Sequence, residues 1–165
     1  MSCPDSTSPP PSGLGPIEGY APWSPVAGCF SPQKGTIAFR DWALKTWGGS
    51  DLGIARDCGI GDASKHHEGR AWDWAPPNKD VADEAIAMLL ATDAAGNANA
   101  LARRLGIRTM IWWKKIWVAG QGWKPYTGKS PHTDHVHFGF GWPGAKGQTS
   151  GYVNDGKAVS AALMG

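Results

Sequence analysis

A helical spacing of apolar residues opens the folded part of the chain. Phe39, Trp42 and Trp47 recur at intervals of three to five residues, which places them on one side of a helix. Two glycines follow Trp47 directly, and glycine commonly ends helices. The pattern predicts a helix over residues 35–47.

Two later stretches alternate with the period of a strand. Residues 70–75 place large side chains on one side and small ones on the other, and Asp73 falls on the small side. Residues 135–140 place His135 and His137 on one face and phenylalanines on the opposite face. Both stretches are therefore expected to carry a polar face and an apolar face. A further strand is predicted over residues 52–58.

The remaining pattern completes an α+β fold, with a small, mainly antiparallel sheet and flanking helices. We expect a helix over 81–91 capped by Asn78 or Asp80, a shorter helix over 97–105, a β-hairpin or long bent strand over 107–118, loops over 120–130 and 141–151, and a short helix over 153–163. Residues 1–19, rich in proline, serine and glycine, are expected to form a flexible or extended leader. Residues 20–165 are expected to form one domain, with residues 20–23 as a candidate anchor.

Charge and composition narrow the class of protein. The net charge of +2 and the pI near 8.5 suit an anionic wall polymer and are too weak to predict nucleic-acid binding. No apolar run is long enough to predict a membrane span, and no secretory signal is visible at the N-terminus. The three cysteines are either free thiols or a Cys29–Cys58 disulfide with Cys3 unpaired. We favour the disulfide, because such bonds persist outside the cytosol.

The candidate chemistry lies in two windows, residues 64–73 and 131–138, which hold all five histidines. A catalytic zinc ion typically takes three protein ligands and keeps a position for water. The first window offers His66 or His67 together with Asp73. The second window offers His135 or His137. The two windows together predict a site for a divalent metal, and zinc is the metal suited to hydrolysis because it needs no redox change.

The first window resembles the signature of the zinc D-Ala-D-Ala peptidases, Ser-x-His-x-x-Gly-x-Ala-x-Asp, at Ser64, His66, Gly69, Ala71 and Asp73. That family is similar in fold to hedgehog signalling domains and lysostaphin-type endopeptidases. The second window resembles the family's other signature, an acidic residue three positions before a ligand histidine, at Asp134 and His137. The family more often has glutamate at the acidic position, so the aspartate is a departure.

The resemblance implies a role for each matching residue. His66, Asp73 and His137 would bind Zn²⁺, and Asp134 would act as the general base. His135 would hydrogen-bond the transition state, or else support the ligands from behind. Arg56 would stabilise the oxyanion, in preference to Arg70, which the alternation turns away from Asp73.

Other residues near the windows have simpler expected roles. His132 is expected to line the same pocket, and Glu68 is expected to be solvated. Trp123 and Trp142, with Tyr126, are expected either to wall a groove for a sugar or peptide stem or to anchor loops.

The implied function is a zinc metallopeptidase that cleaves amide bonds in peptidoglycan stems or cross-links, as an endopeptidase or carboxypeptidase. The expected setting is extracellular or periplasmic, for a phage lysin, an injected antibacterial effector or a secreted hydrolase. A monomer is expected, and an immunity or delivery partner stays possible. Two alternatives remain open: a hedgehog-like binding module that retains zinc without catalysis, and a 2-His-1-carboxylate iron oxygenase, whose usual His-x-Asp spacing is closer than the seven positions from His66 to Asp73.

Overall fold

The protein is described by a computed structural model over residues 14–24, 29–54 and 68–164. The helices of these residues are α1 (Lys34–Trp47), α2 (Lys79–Leu90), α3 (Ala100–Leu105) and α4 (Trp142–Ala145), with a 3-10 helix at Ala161–Met164. The strands are β1 (Ser50–Asp51), β2 (Ala71–Ala75), β3 (Ile107–Trp112), β4 (Lys115–Val118), β5 (Gly122–Pro125), β6 (Val136–Phe140), β7 (Tyr152–Val153) and β8 (Ala158–Val159). The predicted α+β class is confirmed.

The central sheet has six strands in the order β1-β2-β6-β3-β4-β5, and every neighbouring pair is antiparallel. β6 comes late in the sequence and is inserted between β2 and β3. This insertion brings the second histidine window against the first. β7 and β8 form a separate two-stranded ribbon.

One face of the sheet carries the aromatic core. Trp72, Phe138 and Met110 occupy successive register positions across β2, β6 and β3, and none of them is exposed. Phe39 of α1 packs on this face, with ring centroids 5.0 Å from Phe138 and 5.9 Å from Trp72. Burial of such large rings is the main stabilising contribution to a domain of this size.

The ends of the helices follow ordinary capping chemistry. The side chain of Asn78 accepts a hydrogen bond from the Val81 amide and so caps α2. Of the two predicted caps, Asn78 is therefore the one used. α1 ends at Gly48, whose φ of +76° favours glycine. α3 ends at Gly106 and is shorter than the predicted helix over 97–105.

The hairpin predicted over 107–118 is confirmed as β3 and β4, but the strand predicted over 52–58 is wrong in its described part. The strand there is β1, which pairs with the end of β2 before the apolar run begins. Leu52 is 55% exposed, so its apolar character does not indicate burial. Residues 55–58 lie outside the described residues.

Two predicted loops contain regular structure. The 120–130 segment contains β5, which adds a third antiparallel strand to the β3–β4 hairpin. The glycine and proline of this segment favour a loop in the sequence pattern, although proline is tolerated at a sheet edge. The 141–151 segment contains α4, where Gly144 lies so close to Gly106 that an added Cβ would meet its Cα at 2.7 Å. Tertiary contact stabilises this short helix more than local propensity does.

The helix predicted over 153–163 is wrong. β7 and β8 take its place, followed by the 3-10 helix. Asn154 and Asp155 both have positive φ and precede Gly156, which is a composition typical of a hairpin turn.

The N-terminal stretch of the described residues is bound to the domain. The guanidinium of Arg104 donates to the Gly15 carbonyl at 2.8 Å, and Arg103 donates to the Glu18 carbonyl at 2.8 Å. Tyr20 accepts a hydrogen bond from the Asn99 side chain at 2.9 Å. The predicted anchor over residues 20–23 is therefore in contact with the domain. Residues 1–13 of the predicted leader lie outside the described residues.

The longest helix in the described ranges has 14 residues, and no helix there has the length and apolar character needed to cross a bilayer.

Candidate functional site

Asp73 and His137 are direct cross-strand neighbours on β2 and β6. Their side chains lie on the face opposite the aromatic core, since Trp72 and Phe138 alternate with them. The Nδ1 atom of His137 is 3.0 Å from Oδ1 of Asp73. The two side chains are only 14% and 11% exposed. The alternation predicted for both strands is confirmed, and it places the carboxylate and the imidazole of the two windows together.

The glycine of the first window has a clear structural role. Gly69 has φ +69°, and a Cβ added there would lie 2.2 Å from the Ser31 carbonyl oxygen. Its own carbonyl accepts a hydrogen bond from the Gln33 amide at 3.0 Å. Only glycine combines this backbone conformation with so close an approach. Gly69 therefore sets the entry of the chain into β2, two residues before the strand begins and four before Asp73.

His135 stands beside this pair. Its Nε2 atom is 4.0 Å from Oδ1 of Asp73, and its Nδ1 atom is 2.7 Å from Oδ1 of Asp134. A carboxylate only accepts hydrogen bonds, so Nδ1 of His135 carries the proton and Nε2 is directed toward Asp73. Asp134 thus orients the ring of His135.

Asp134 lies at the surface of the protein. Its side chain is 87% exposed. The hydrogen bond from His135 holds the pKa of the Asp134 carboxyl below its usual value. The carboxylate is therefore ionised and available to accept a proton, and its described contact is to His135. Its role as general base stays a prediction.

His132 lies in the same cluster, as expected from its position. Its ring centroid is 4.5 Å from that of His135 and 6.0 Å from that of His137, and Tyr126 packs edge-on against it at 5.2 Å. Its Nδ1 lies 2.9 Å from the Ser130 carbonyl oxygen, which assigns the proton to Nδ1. Burial lowers the pKa of the His132 imidazole. The residue has φ +52°, a conformation that β-sheet or helix periodicity does not signal.

The donor set fits part of a zinc site. Two ligand atoms at tetrahedral positions around zinc are separated by about 3.3 Å, and Nδ1 of His137 and Oδ1 of Asp73 are 3.0 Å apart, a distance that also suits a hydrogen bond between them. Within residues 14–24, 29–54 and 68–164, no group of three or more His, Cys, Asp or Glu side chains is arranged to hold a metal ion. The predicted ligand His66, its competitor His67 and the predicted oxyanion residue Arg56 lie outside those ranges.

Arg70 and Glu68 form a buried ion pair, and the other contacts of Arg70 lie outside the site. The Nε atom of Arg70 donates to Glu68 at 2.6 Å, and the two side chains are 1% and 9% exposed. Arg70 also donates to the carbonyls of Phe140 and Ser24 and lies 4.5 Å from the ring centroid of Trp142. The expectation that Glu68 is solvated is wrong, because its neighbour supplies a buried cation that sequence spacing does not reveal.

The aromatic residues near the second window divide into two roles. The Nε1 atom of Trp142 donates to the Ser24 carbonyl at 3.0 Å, so this ring anchors the N-terminal segment. Tyr126 lies against His132, while Trp123 lies on β5 and is 43% exposed. Sequence position alone does not distinguish these roles.

Cys29 is disulfide-bonded. Its predicted partner Cys58 and the third cysteine, Cys3, lie outside the described residues. The bond itself is in line with an oxidising compartment.

No curated protein and no solved structure matches the chain. The family described as "VldE, C-terminal domain" matches residues 30–137. This range is well over half of the chain, contains the first window and ends at His137. The chain therefore belongs to the VldE C-terminal domain family.

Proposed function

We propose that this protein is a zinc-dependent peptidase that cleaves amide bonds in the peptides of peptidoglycan. The observation that carries the proposal is the meeting of Asp73 and His137 at 3.0 Å, on the one sheet face that is not filled by the aromatic core. A largely buried carboxylate–imidazole pair is common in metal centres. Three further features support it: His135, His132 and the match of both windows to the peptidase signatures.

The residues assigned to the metal are His66, Asp73 and His137. Bound zinc would supply a Lewis acid that polarises the scissile carbonyl and lowers the pKa of water. Asp73 contributes one negative charge from the middle of a short, well-packed strand. Ala71 and Gly139, which are paired across β2 and β6 next to this residue, keep that part of the face small.

Asp134 and His135 are assigned to proton transfer and to hydrogen bonding with the transition state. Asp134 accepts the proton at its carboxylate and is ionised at neutral pH, since its pKa is lowered. His135 presents Nε2 toward Asp73, and because Nδ1 carries the ring proton, Nε2 would hydrogen-bond the transition state by accepting from an N–H or O–H group. His132, with Nδ1 held by the Ser130 carbonyl, presents its other nitrogen as an acceptor.

The test combines elemental analysis with mass spectrometry of wall fragments. Purified peptidoglycan is digested with the protein, with and without a chelator. We expect about one zinc per chain and chelator-sensitive release of peptides with new amino and carboxyl ends. Asp73→Asn should lose zinc and digestion together. Asp41→Asn, a carboxylate replacement on the exposed side of α1, is the matched control and should retain both.

A second candidate is a zinc-retaining module that binds wall peptides without cleaving them. The observation that favours it is the 87% exposure of Asp134 and its contact to His135. Stoichiometric zinc, binding to wall fragments and no new ends would establish this candidate over the peptidase. Stoichiometric iron with an oxoacid requirement would exclude both.

A further inference from the structure

A groove with two exposed tryptophans lies at the free end of the β3–β4 hairpin. A cavity of about 450 Å³ runs between α2 and this hairpin, and a second of about 410 Å³ continues it along β5. Both cavities are lined by Trp113, Lys115 and Trp123. We call this surface the tryptophan–lysine groove. Trp113 and Trp123 are 44% and 43% exposed.

The groove is separate from the histidine–aspartate cluster. Trp112 and Lys115 are paired across β3 and β4, and Trp117 and Trp123 across β4 and β5. By strand alternation these residues belong to the face that carries Met110 and the helices. His137 and its partner Ile111 project from the opposite face. A ligand in the groove would therefore be bound apart from any reaction at the cluster.

The tip of the hairpin is built at a conformational cost. β3 and β4 are joined by two residues, Trp113 and Lys114, with φ of +52° and +62°. Such turns favour Asn-Gly, because side chains with a Cβ are disfavoured at positive φ. The chain instead places a large aromatic ring and a cation there. Strain of this kind concentrates at functional positions, and here it presents both side chains at the mouth of the groove.

The charge of the groove is predominantly positive. Its two cavities are lined by Lys79, Lys114, Lys115 and Lys124, against the single acid Asp83. The Asp83 carboxylate already accepts two hydrogen bonds, from the Lys79 ammonium at 2.7 Å and from the Trp112 indole at 2.9 Å. Lys114 and Lys115 are exposed and lie within 4 Å of no acidic side chain in the described parts of the chain. The surface thus combines flat apolar rings with uncompensated cations.

We propose that the tryptophan–lysine groove binds a polysaccharide whose regularly spaced negative charges are carboxylates. Exposed indole rings pack against the C–H faces of sugar rings, and the lysines pair with the anionic groups. An elongated, open groove suits a linear polymer better than a small enclosed ligand. The cations that line the groove in the described part of the chain are all lysines, whereas phosphate recognition in nucleic acids favours the forked donors of arginine. The proposal does not depend on hydrolysis, because Lys115 and Trp123 of the groove project from the face opposite the cluster.

The test is cosedimentation with purified peptidoglycan sacculi in the presence of a chelator, so that no cleavage occurs. The diagnostic variant carries Trp113→Asn together with Lys114→Gly. It removes the Trp113 ring and the Lys114 cation and places Asn-Gly, which suits positive φ, at the turn, so binding should weaken by about tenfold or more. The amides of residues 113 and 114 donate to the carbonyls of His132 and Pro131, and these backbone bonds survive the substitution. Trp123→Ala should weaken binding without changing the turn.

Matched controls replace an exposed tryptophan and an exposed lysine outside the groove: Trp23→Ala and Lys45→Glu should bind like the wild type. Sacculi stripped of phosphate polymers with acid identify the source of the negative charge. Binding kept after stripping assigns the charge to the carboxylates of peptidoglycan, as the proposal expects, whereas binding lost on stripping assigns it to a phosphate polymer and overturns the proposal. Equal binding by the wild type and the groove variants overturns it. Tighter binding to an oligothymidylate than to sacculi, or dimerisation abolished by the groove variants, would also overturn it.

Discussion

The two faces of the central sheet use the same strands for different purposes. On β2, β6 and β3 one face carries Trp72, Phe138 and Met110, none of them exposed. The other face carries Asp73, paired with His137, whose side chain is 14% exposed. Trp72 and Asp73 are neighbours in the sequence but lie in different environments. Trp72 and Phe138 are far apart in the sequence but lie side by side in the core.

The difference between the aromatic face and the polar face explains how the domain accommodates a polar cluster. The aromatic face supplies the burial that stabilises the sheet, so the opposite face can hold groups that cost desolvation energy. The strands are short and well paired, and they keep those groups at a fixed separation. Rigid strands are better than loops for holding two ligand atoms within a few tenths of an ångström.

The largest expected effect comes from Phe138→Ala, on the aromatic face. Phe138 is unexposed and contacts the rings of Phe39, Trp72 and Trp74. Its truncation leaves a cavity and should lower the free energy of unfolding by about 3–5 kcal/mol. Denaturant titration followed by tryptophan fluorescence measures this. A loss below about 1 kcal/mol would contradict the assignment of this face as the main core.

Gly69→Ala tests the support of the polar face. The new Cβ would meet the Ser31 carbonyl oxygen at 2.2 Å, and the residue would keep φ +69°. Left-handed strain and the close contact together should cost about 2 kcal/mol or more of stability. Gly122→Ala is a control with nothing within 4 Å of the added Cβ at φ +77°. It carries the cost of positive φ without the contact, so the excess for Gly69 reports the close approach to Ser31.

His137→Ala is the counterpart of Phe138→Ala one residue earlier. It removes a partly exposed polar ring, so the free energy of unfolding of the metal-free protein should change by only about 1 kcal/mol. Zinc affinity should fall by at least about 100-fold, more than the loss usual for residues that only support a ligand. Calorimetric titration with Zn²⁺ measures this. Normal zinc affinity in this variant would show that His137 is not a zinc ligand. The polar face of the sheet would then lose its proposed role in metal binding.

The smallest expected effect concerns the aromatic side near α2. Asp83 accepts hydrogen bonds from Lys79 and Trp112, which hold its pKa below the usual 3.8. Because the folded-state pKa is the lower one, the stabilisation is fully present above pH 4–5 and is lost as pH falls through the folded value. Asp83→Asn should therefore cost less than about 1 kcal/mol at pH 7, since the pair is half exposed.

The Asp83 prediction is checked by following Tm of the wild type and the variant from pH 7 to pH 3. The difference between them should shrink toward the acid end. A difference that stays constant across this range would show that the charge of Asp83 is not responsible. Asp80→Asn, in the first turn of the same helix, is a matched control for the effect of losing a carboxylate there.

Part of the site could be predicted because strand alternation is a local property. The pattern of residues 70–75 is enough to place Asp73 opposite two tryptophans, and residues 135–140 do the same for His137. The prediction that Glu68 is solvated is wrong. Glu68 is buried because the side chain of Arg70, two residues later, turns inward and pairs with it. The sequence prediction also failed for the segment over 153–163, where a hairpin replaced a helix because Asn154 and Asp155 adopt positive φ.

The sequence by itself determined the α+β class, the three longest helices and strands, and the division of each strand into an apolar and a polar face. These follow from periodicity, which is set by the geometry of one element at a time. Only the tertiary structure decided that Asp73 and His137 pair in register, that His132 joins them, and that Trp113 and Trp123 share a groove on the other face. Those facts depend on the insertion of β6 between β2 and β3 and on the strained turn after β3. Strand order and strain are properties of the whole packed chain, because they are settled by contacts between residues distant in sequence.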